Sequence, residues 1–213
     1  MGRTQSLAML VALALGLSAC SSGASVPTSL SDTGSSSVRM GAWSPSQLDL
    51  IAATGDPAVM PSTPGFSPGV LYVNRVYVDQ NRAAHAAQLA VITAGEGISN
   101  AFIGVYDPSD DKLLATTADL SQSLQKPGII RADLTTEIPA QPMNKKLWIV
   151  LLIGGMTKPP TVIGGREYGS NLGLTGDYRL WVSDANNFTS LPVTMPKLKV
   201  PEHGSIPFVA IAG

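Results

Sequence analysis

Apolar residues gather along this chain in short runs separated by glycine, proline and aspartate, a spacing that predicts strands rather than helices. Val70–Val78 (VLYVNRVYV) is rich in β-branched and aromatic residues, which suit a pleated, half-buried surface. Gln88–Thr93 follows, then Ala94-Gly95-Glu96-Gly97, which reads as a hairpin turn. Ala101–Tyr106 is the next strand, closed by Asp107-Pro108-Ser109-Asp110-Asp111, a dense group of turn formers. Lys112–Thr117 returns from that turn, and Pro127-Gly128 introduces Ile129–Leu134. Lys146–Ile153 (KLWIVLLI) is apolar almost without interruption, the pattern of a central strand covered on both faces. Tyr178–Ser183 and Pro207–Ile211 complete the series. The alanines of Ala83–Ala90 would suit a helical turn, but continuity with the run that follows favours strand.

Seven or eight short strands with turns between them predict an all-β fold, a β-sandwich or jelly-roll-like domain. Before it, Trp43–Met60 carries an apolar patch (Leu48, Leu50, Ile51) that reads as a short helix or an irregular lead-in. Pro61, Pro64 and Pro68 with Gly65 and Gly69 then make a rigid, turning passage. The stretch 154–176 differs from the rest. It holds Gly154-Gly155, Gly164-Gly165, Gly169, Gly173 and Gly176, with Pro159-Pro160 and few apolar anchors. A loop of that length inside a compact domain is functional or disordered more often than not. Arg166, Glu167 and Tyr168 at its centre are the ligand-binding candidates, offering polar and aromatic groups to a glycan or a protein; the plain alternative is a solvated surface loop.

The amino terminus has a different logic. Residues 1–20 read MGRTQSLAMLVALALGLSAC, with Arg3 in a short charged region, an apolar run from Leu7 to Leu17, and small residues after it. This is the layout of a secretory signal peptide, and the run is shorter than the roughly 20 apolar residues that span a bilayer. Leu17-Ser18-Ala19-Cys20 resembles the lipobox of bacterial lipoproteins, which implies cleavage before Cys20 and acylation of its thiol and amine. Several acyl chains hold a protein to a membrane durably where one is marginal. Ser21 to about Ser37 is rich in Ser, Gly and Thr, as a flexible tether would be. The expected organisation is therefore a signal peptide over 1–19, a lipid-anchored tether over 20–42 and a β-sandwich domain over 43–213. Gly2 with Ser6 also fits an N-myristoylation pattern, but the secretory run beginning at Leu7 competes with it.

Composition narrows the function. With 44% hydrophobic and only 14% charged residues, the chain can bury a sizeable core. A formal net charge of -1 leaves no basic footprint for nucleic acid. Cys20 is the single cysteine, so no intrachain disulfide can form, and a lipid on it explains an otherwise unpaired thiol.

Catalytic groups are scarce. The chain has two histidines, His85 and His203, neither in a recognisable nucleophile–base setting, and no Gly-x-Ser-x-Gly elbow. Asp110 and Asp111 adjoin in a turn and read as solvated charge rather than a glycoside-cleaving pair. Asp107, Ser109 and Asp111 alternate as calcium ligands do, but the glycine and distal glutamate of a full calcium loop are missing. Zinc would need a Cys/His cluster that does not exist. Asn100 replaces the third glycine of a dinucleotide fingerprint after Gly95-x-Gly97. Trp148 and Trp181 lie in strand-like runs and read as core, whereas Trp43 and Tyr168 read as exposed aromatics. The expectation is no enzyme, no metal and no cofactor.

From about Asp49 onward the chain resembles β-sandwich domains in minor tail and tail-fibre proteins of actinobacterial phages. The likeness is carried in order by Asp49-Leu50-Ile51-Ala52-Ala53 with Asp56-Pro57, Gly69-Val70-Leu71-Tyr72, Ala94-Gly95-Glu96-Gly97 and Ala101-Phe102-Ile103-Gly104-Val105-Tyr106-Asp107. It continues through Leu113-Leu114-Ala115-Thr116-Thr117-Ala118-Asp119, Leu147-Trp148-Ile149-Val150-Leu151-Leu152 with Pro159-Pro160, Ser190-Leu191-Pro192 and Pro207-Phe208, about three quarters of the chain in all. The resemblance implies a jelly-roll-like domain on a particle surface, in contact with host carbohydrate, and by analogy a homotrimer; it transfers no catalytic residues. Tail proteins assemble in the cytoplasm, so the export signal departs from that family, unless translation starts internally at Met40. Three expectations follow: an exported, lipid-anchored binding module for envelope glycan or protein, a virion tail subunit, or a prophage lipoprotein that excludes superinfecting phage.

Overall fold

The computed structural model describes residues 44–63, 65–166, 179–199 and 205–213. Cys20 and the expected signal peptide and tether lie outside them.

The protein is predominantly β and builds two antiparallel sheets. The first contains β1 (Leu50–Ala53), β2 (Ser62–Thr63), β4 (Ala84–Thr93), β7 (Gly128–Ile138), β9 (Thr161–Arg166), β12 (Ser205–Pro207) and β13 (Val209–Ala212). The second contains β3 (Val70–Tyr77), β5 (Ala101–Asp107), β6 (Lys112–Thr116), β8 (Lys146–Ile153), β10 (Leu180–Ser183) and β11 (Leu198–Lys199), in the order β11-β10-β3-β8-β5-β6. The described residues belong to one compact unit, Gly41–Gly213.

β8 lies between β3 and β5, as its apolar run requires. Tyr77 to Val70 pair along one edge with Lys146 to Ile153, and Ala101 to Tyr106 along the other with Ile153 to Trp148. Side chains alternate across a strand, so β8 feeds two layers. Leu147, Ile149, Leu151 and Ile153 enter the core shared with Ala87, Leu89 and Val91 of β4 and with Val209 and Ile211 of β13. Val150 and Leu152 face the opposite way, into a second apolar layer with Leu71, Val73 and Tyr106. Each fully buried branched side chain contributes about 1.5–3 kcal/mol. Asn74 interrupts the β3 row, and its Nδ2 donates to the main-chain oxygens of Tyr72 and Ile149 at 3.1 and 3.2 Å.

The outer face of the second sheet is covered by the segment 184–198. Phe188 and Leu191 pack into its apolar layer, and Met195 donates its N–H to the Asp111 oxygen at 2.8 Å. Two glycines admit this segment. Gly69 has φ +69° and lies so close to it that a Cβ would stand 2.5 Å from the Asn186 oxygen. A Cβ on Gly104 would stand 2.6 Å from Leu191 Cδ1.

The strand series expected over 70–117, 129–134 and 146–153 is present, and Ala84–Thr93 is one continuous strand. Several expectations change. Part of the stretch 154–176 is β9 rather than loop: β-branched Thr161-Val162-Ile163 pair with β2 and β4, with Val162 in the core, and Gly164 and Gly165 pair with Pro207 and Ile206. The lead-in before residue 60 is a 3-10 turn, Pro45–Leu48, capped by Ser44, and then strand β1, because Leu50 and Ile51 each find an apolar layer. Ala94-Gly95-Glu96-Gly97 is no hairpin. β4 and β5 belong to different sheets, so the segment crosses between them, held by Gly95 N–H to the Leu124 oxygen at 3.0 Å and Glu96 N–H to the Lys158 oxygen at 2.9 Å. Pro207–Ile211 is split at Phe208, whose N–H donates to the Ile163 oxygen at 2.7 Å.

Candidate functional site

Strand register sets one row of side chains across the outer face of the second sheet. Arg75 of β3 stands opposite Trp148 of β8, and Trp148 stands opposite Tyr106 of β5. On the far side, Trp181 of β10 pairs with Val73, two residues before Arg75. The two indoles lie 6.4 Å apart between centroids and are tilted by 49°. The Arg75 guanidinium is 5.7 Å from the Trp181 ring and 5.7 Å from the Tyr77 ring, inside the range of cation–π attraction.

The segment 184–198 leaves this end of the face open. A cleft of about 530 Å³ remains, lined by Trp148, Trp181, Arg75, Asp107, Lys145 and Lys146, with Pro108 and Ser109 at its edge. That volume is within the range of small-ligand sites, and its surface is mainly apolar with a few polar groups fixed at the margin. Arg75 also walls a second recess of about 290 Å³, shared with Tyr77, Asp79, Asn144 and Arg179. The Arg75 N–H donates to the Arg179 oxygen at 2.9 Å.

Asp107 is the carboxylate of the first cleft. Burial alone would push its carboxyl up. The Lys145 ammonium, which donates to Oδ2 at 2.6 Å, and the Ser109 N–H and hydroxyl, which donate to Oδ1 at 2.9 and 2.7 Å, outweigh that burial and hold it down at about 2. Lys145 is itself placed by the backbone, since its oxygen accepts from Val78 N–H at 3.0 Å and its N–H donates to the Pro142 oxygen at 3.1 Å. The result is an ionised carboxylate beside a fixed ammonium. Such a couple accepts from and donates to hydroxyl groups while the indole faces stack against C–H surface.

With both oxygens of Asp107 taken by these donors, the alternating Asp107, Ser109 and Asp111 form a hydrogen-bonded turn, in which Asp111 adopts φ 59°. Among the described residues, no group of three or more His, Cys, Asp or Glu is arranged to hold a metal ion. His85 lies on β4 in the other sheet, its Nδ1 3.6 Å from Glu137 Oε2 on an exposed surface.

Of the sequence-predicted ligand candidates, Arg166 is the last residue of β9 and pairs with Ser205 in the first sheet, whereas the cleft belongs to the second. Glu167 and Tyr168 lie outside the described residues, as do Cys20, Trp43 and His203. Trp148 and Trp181, read from the sequence as core, are only partly buried and line the cleft. A signal for them exists in the alternation. Lys146-x-Trp148 and Arg75-x-Tyr77 each put a cation on the same strand face as an aromatic ring, and Arg179 stands two residues before Trp181 at the entry to β10, which marks where that face opens to water.

No family model matches the chain, and no curated protein matches it significantly. Among the described residues no helix is long and apolar enough to cross a membrane.

Proposed function

We propose that this chain is a non-enzymatic, surface-displayed binding module, a lipoprotein held to the cell envelope by a lipid on Cys20, whose jelly-roll-like sandwich grips an envelope glycan in the Trp148–Trp181 cleft. The observation that carries the reading is that cleft: two tilted indoles beside a fixed Asp107–Lys145 couple. A sugar ring presents just such a mixture of C–H face and directional hydroxyls. A protein partner is less well served, because stable protein contacts need about 800 Å² per side and the feature here is concave and small. Asp107 is the only carboxylate among the described residues lining the cleft, whereas glycoside cleavage ordinarily uses two. The lipobox-like Leu17-Ser18-Ala19-Cys20 and the tether after it support display at the surface.

The test is to express the full chain in a bacterial host and measure the mass of its mature amino terminus beside Cys20→Ala. The same protein is then offered purified envelope polysaccharide. A diacylglycerol mass on Cys20 with residues 1–19 removed, together with retention of the polysaccharide, is the expected result. A second reading, a phage minor tail or tail-fibre subunit, is favoured by the order and spacing of the resembling segments. It predicts the protein in purified virions with no lipid on Cys20. If instead the lipoprotein is prophage-borne and masks a receptor, its expression blocks adsorption of related phages and Cys20→Ala abolishes the block.

A further inference from the structure

The two recesses that meet at Arg75 are unevenly charged. Their acids are already engaged within the fold. Asp107 is bound by Lys145 and Ser109, and Asp79 Oδ2 accepts from the Ser44 hydroxyl at 2.6 Å and the Ser46 N–H at 3.2 Å. Lys146, on the wall of the larger cleft, and Arg179, on the wall of the smaller, are exposed and have no ion pair among the described residues. β3 places Tyr77 opposite Lys146. The aromatic surface therefore has two exposed cations beside it, Lys146 across from Tyr77 and Arg179 beside Arg75, in a chain whose net charge is only -1.

Resting on the binding function proposed above, we infer that the ligand of this cleft is an anionic saccharide, with its ring on Trp148 and Trp181 and its carboxylate or phosphate received by Lys146, assisted from across Arg75 by Arg179. The division of labour follows from the walls. The indoles hold any sugar; Asp107 Oδ2, which accepts one bond from Lys145, has a second lone pair to accept a hydroxyl; the cations left over select for charge. A nucleic acid fits less well, because single-stranded backbones follow a continuous basic groove, and here an ionised carboxylate stands in the wall.

The experiment is calorimetric titration of the full chain with four probes at low and high salt. They are oligogalacturonate, the same oligomer with its carboxyls reduced, a phosphorylated oligomannose, and a single-stranded oligonucleotide of matched charge. At low salt, oligogalacturonate or the phosphorylated oligomannose is expected to bind about tenfold tighter than the reduced oligomer, the effect of one charge-assisted contact. High salt and the exposed-site variant Lys146→Gln should each erase that margin, and Trp148→Phe should weaken both acidic and neutral saccharides. Whichever acidic probe keeps the margin identifies carboxylate or phosphate as the anion. Equal binding of charged and reduced oligomers, weakened by Trp148→Phe, overturns this inference and leaves the proposed function standing. No saccharide binding at all overturns both, and tighter binding of the oligonucleotide overturns both in favour of nucleic acid.

Discussion

The Tyr106 hydroxyl donates to the Pro192 main-chain oxygen at 2.7 Å, joining the C-terminal end of β5 to the segment that covers the outer face of its sheet. Tyr106 is fully buried, and burial pushes its phenol above the ordinary value near 10. A folded state that keeps the proton longer than the unfolded chain gives stability that is complete below about pH 10 and falls as pH rises beyond it. Tyr106→Phe should cost about 1 kcal/mol at neutral pH, measured by urea denaturation, and should lose less stability than the wild type on going to strongly alkaline pH.

Asp107 gives the opposite dependence. Its folded carboxyl titrates at about 2, below the ordinary value of about 3.9, so its contribution is complete above about pH 4 and is lost as pH falls toward 2. Lys145→Met removes the ammonium that donates at 2.6 Å and should raise the Asp107 carboxyl, a change that carboxylate NMR titration reads directly. The variant should also unfold at a higher pH during acid titration. An unchanged Asp107 titration would mean that the Ser109 bonds alone hold it down.

Gly69 is where the covering segment comes closest. With φ +69° and the Asn186 oxygen 2.5 Å from the place of a Cβ, Gly69→Ala must both strain the backbone and displace the chain at 186–187. The expected loss is about 1–3 kcal/mol, seen in chemical denaturation, with earlier proteolysis within 184–198 than in the wild type.

Much of this fold was legible in the sequence because burial and period agree. From Ile149 to Ile153 both faces of β8 are buried, so its unbroken apolar run matches a central strand. Val70–Tyr77 shows the same consistency despite Asn74 within it, because the amide finds main-chain oxygens on its own strand and the next. What alternation cannot show is which sheet a strand joins. Ala94–Gly97 carries the residues of a hairpin, yet the chain uses them to cross between layers, a choice made by Leu124 and Lys158 from distant parts of the sequence. β9 was hidden for a related reason, since Gly164 and Gly165 look like loop until Ile206 and Pro207 arrive to pair with them.

The cleft was less visible than the fold. Trp148 and Trp181 are apolar residues in apolar runs, and whether such a ring is core or platform depends on how far the segment 184–198 extends over it. That reach is set by Gly69 and Gly104, by the bond from Tyr106 to Pro192, and by the Met195 contact, none of them close in sequence to either indole. The basic residue two positions before each tryptophan is the local trace of the opening.

The most direct test of the account follows the tryptophan side chains themselves. The chain contains Trp43, Trp148 and Trp181 and no others, so three indole N–H resonances, assigned through Trp→Phe variants of the full chain, report on the cleft residue by residue. On addition of envelope polysaccharide, the Trp148 and Trp181 signals should shift together and saturably. Signals that stay in place while the polysaccharide is bound, or a shift confined to Trp43, would contradict the assignment of this cleft as the binding site.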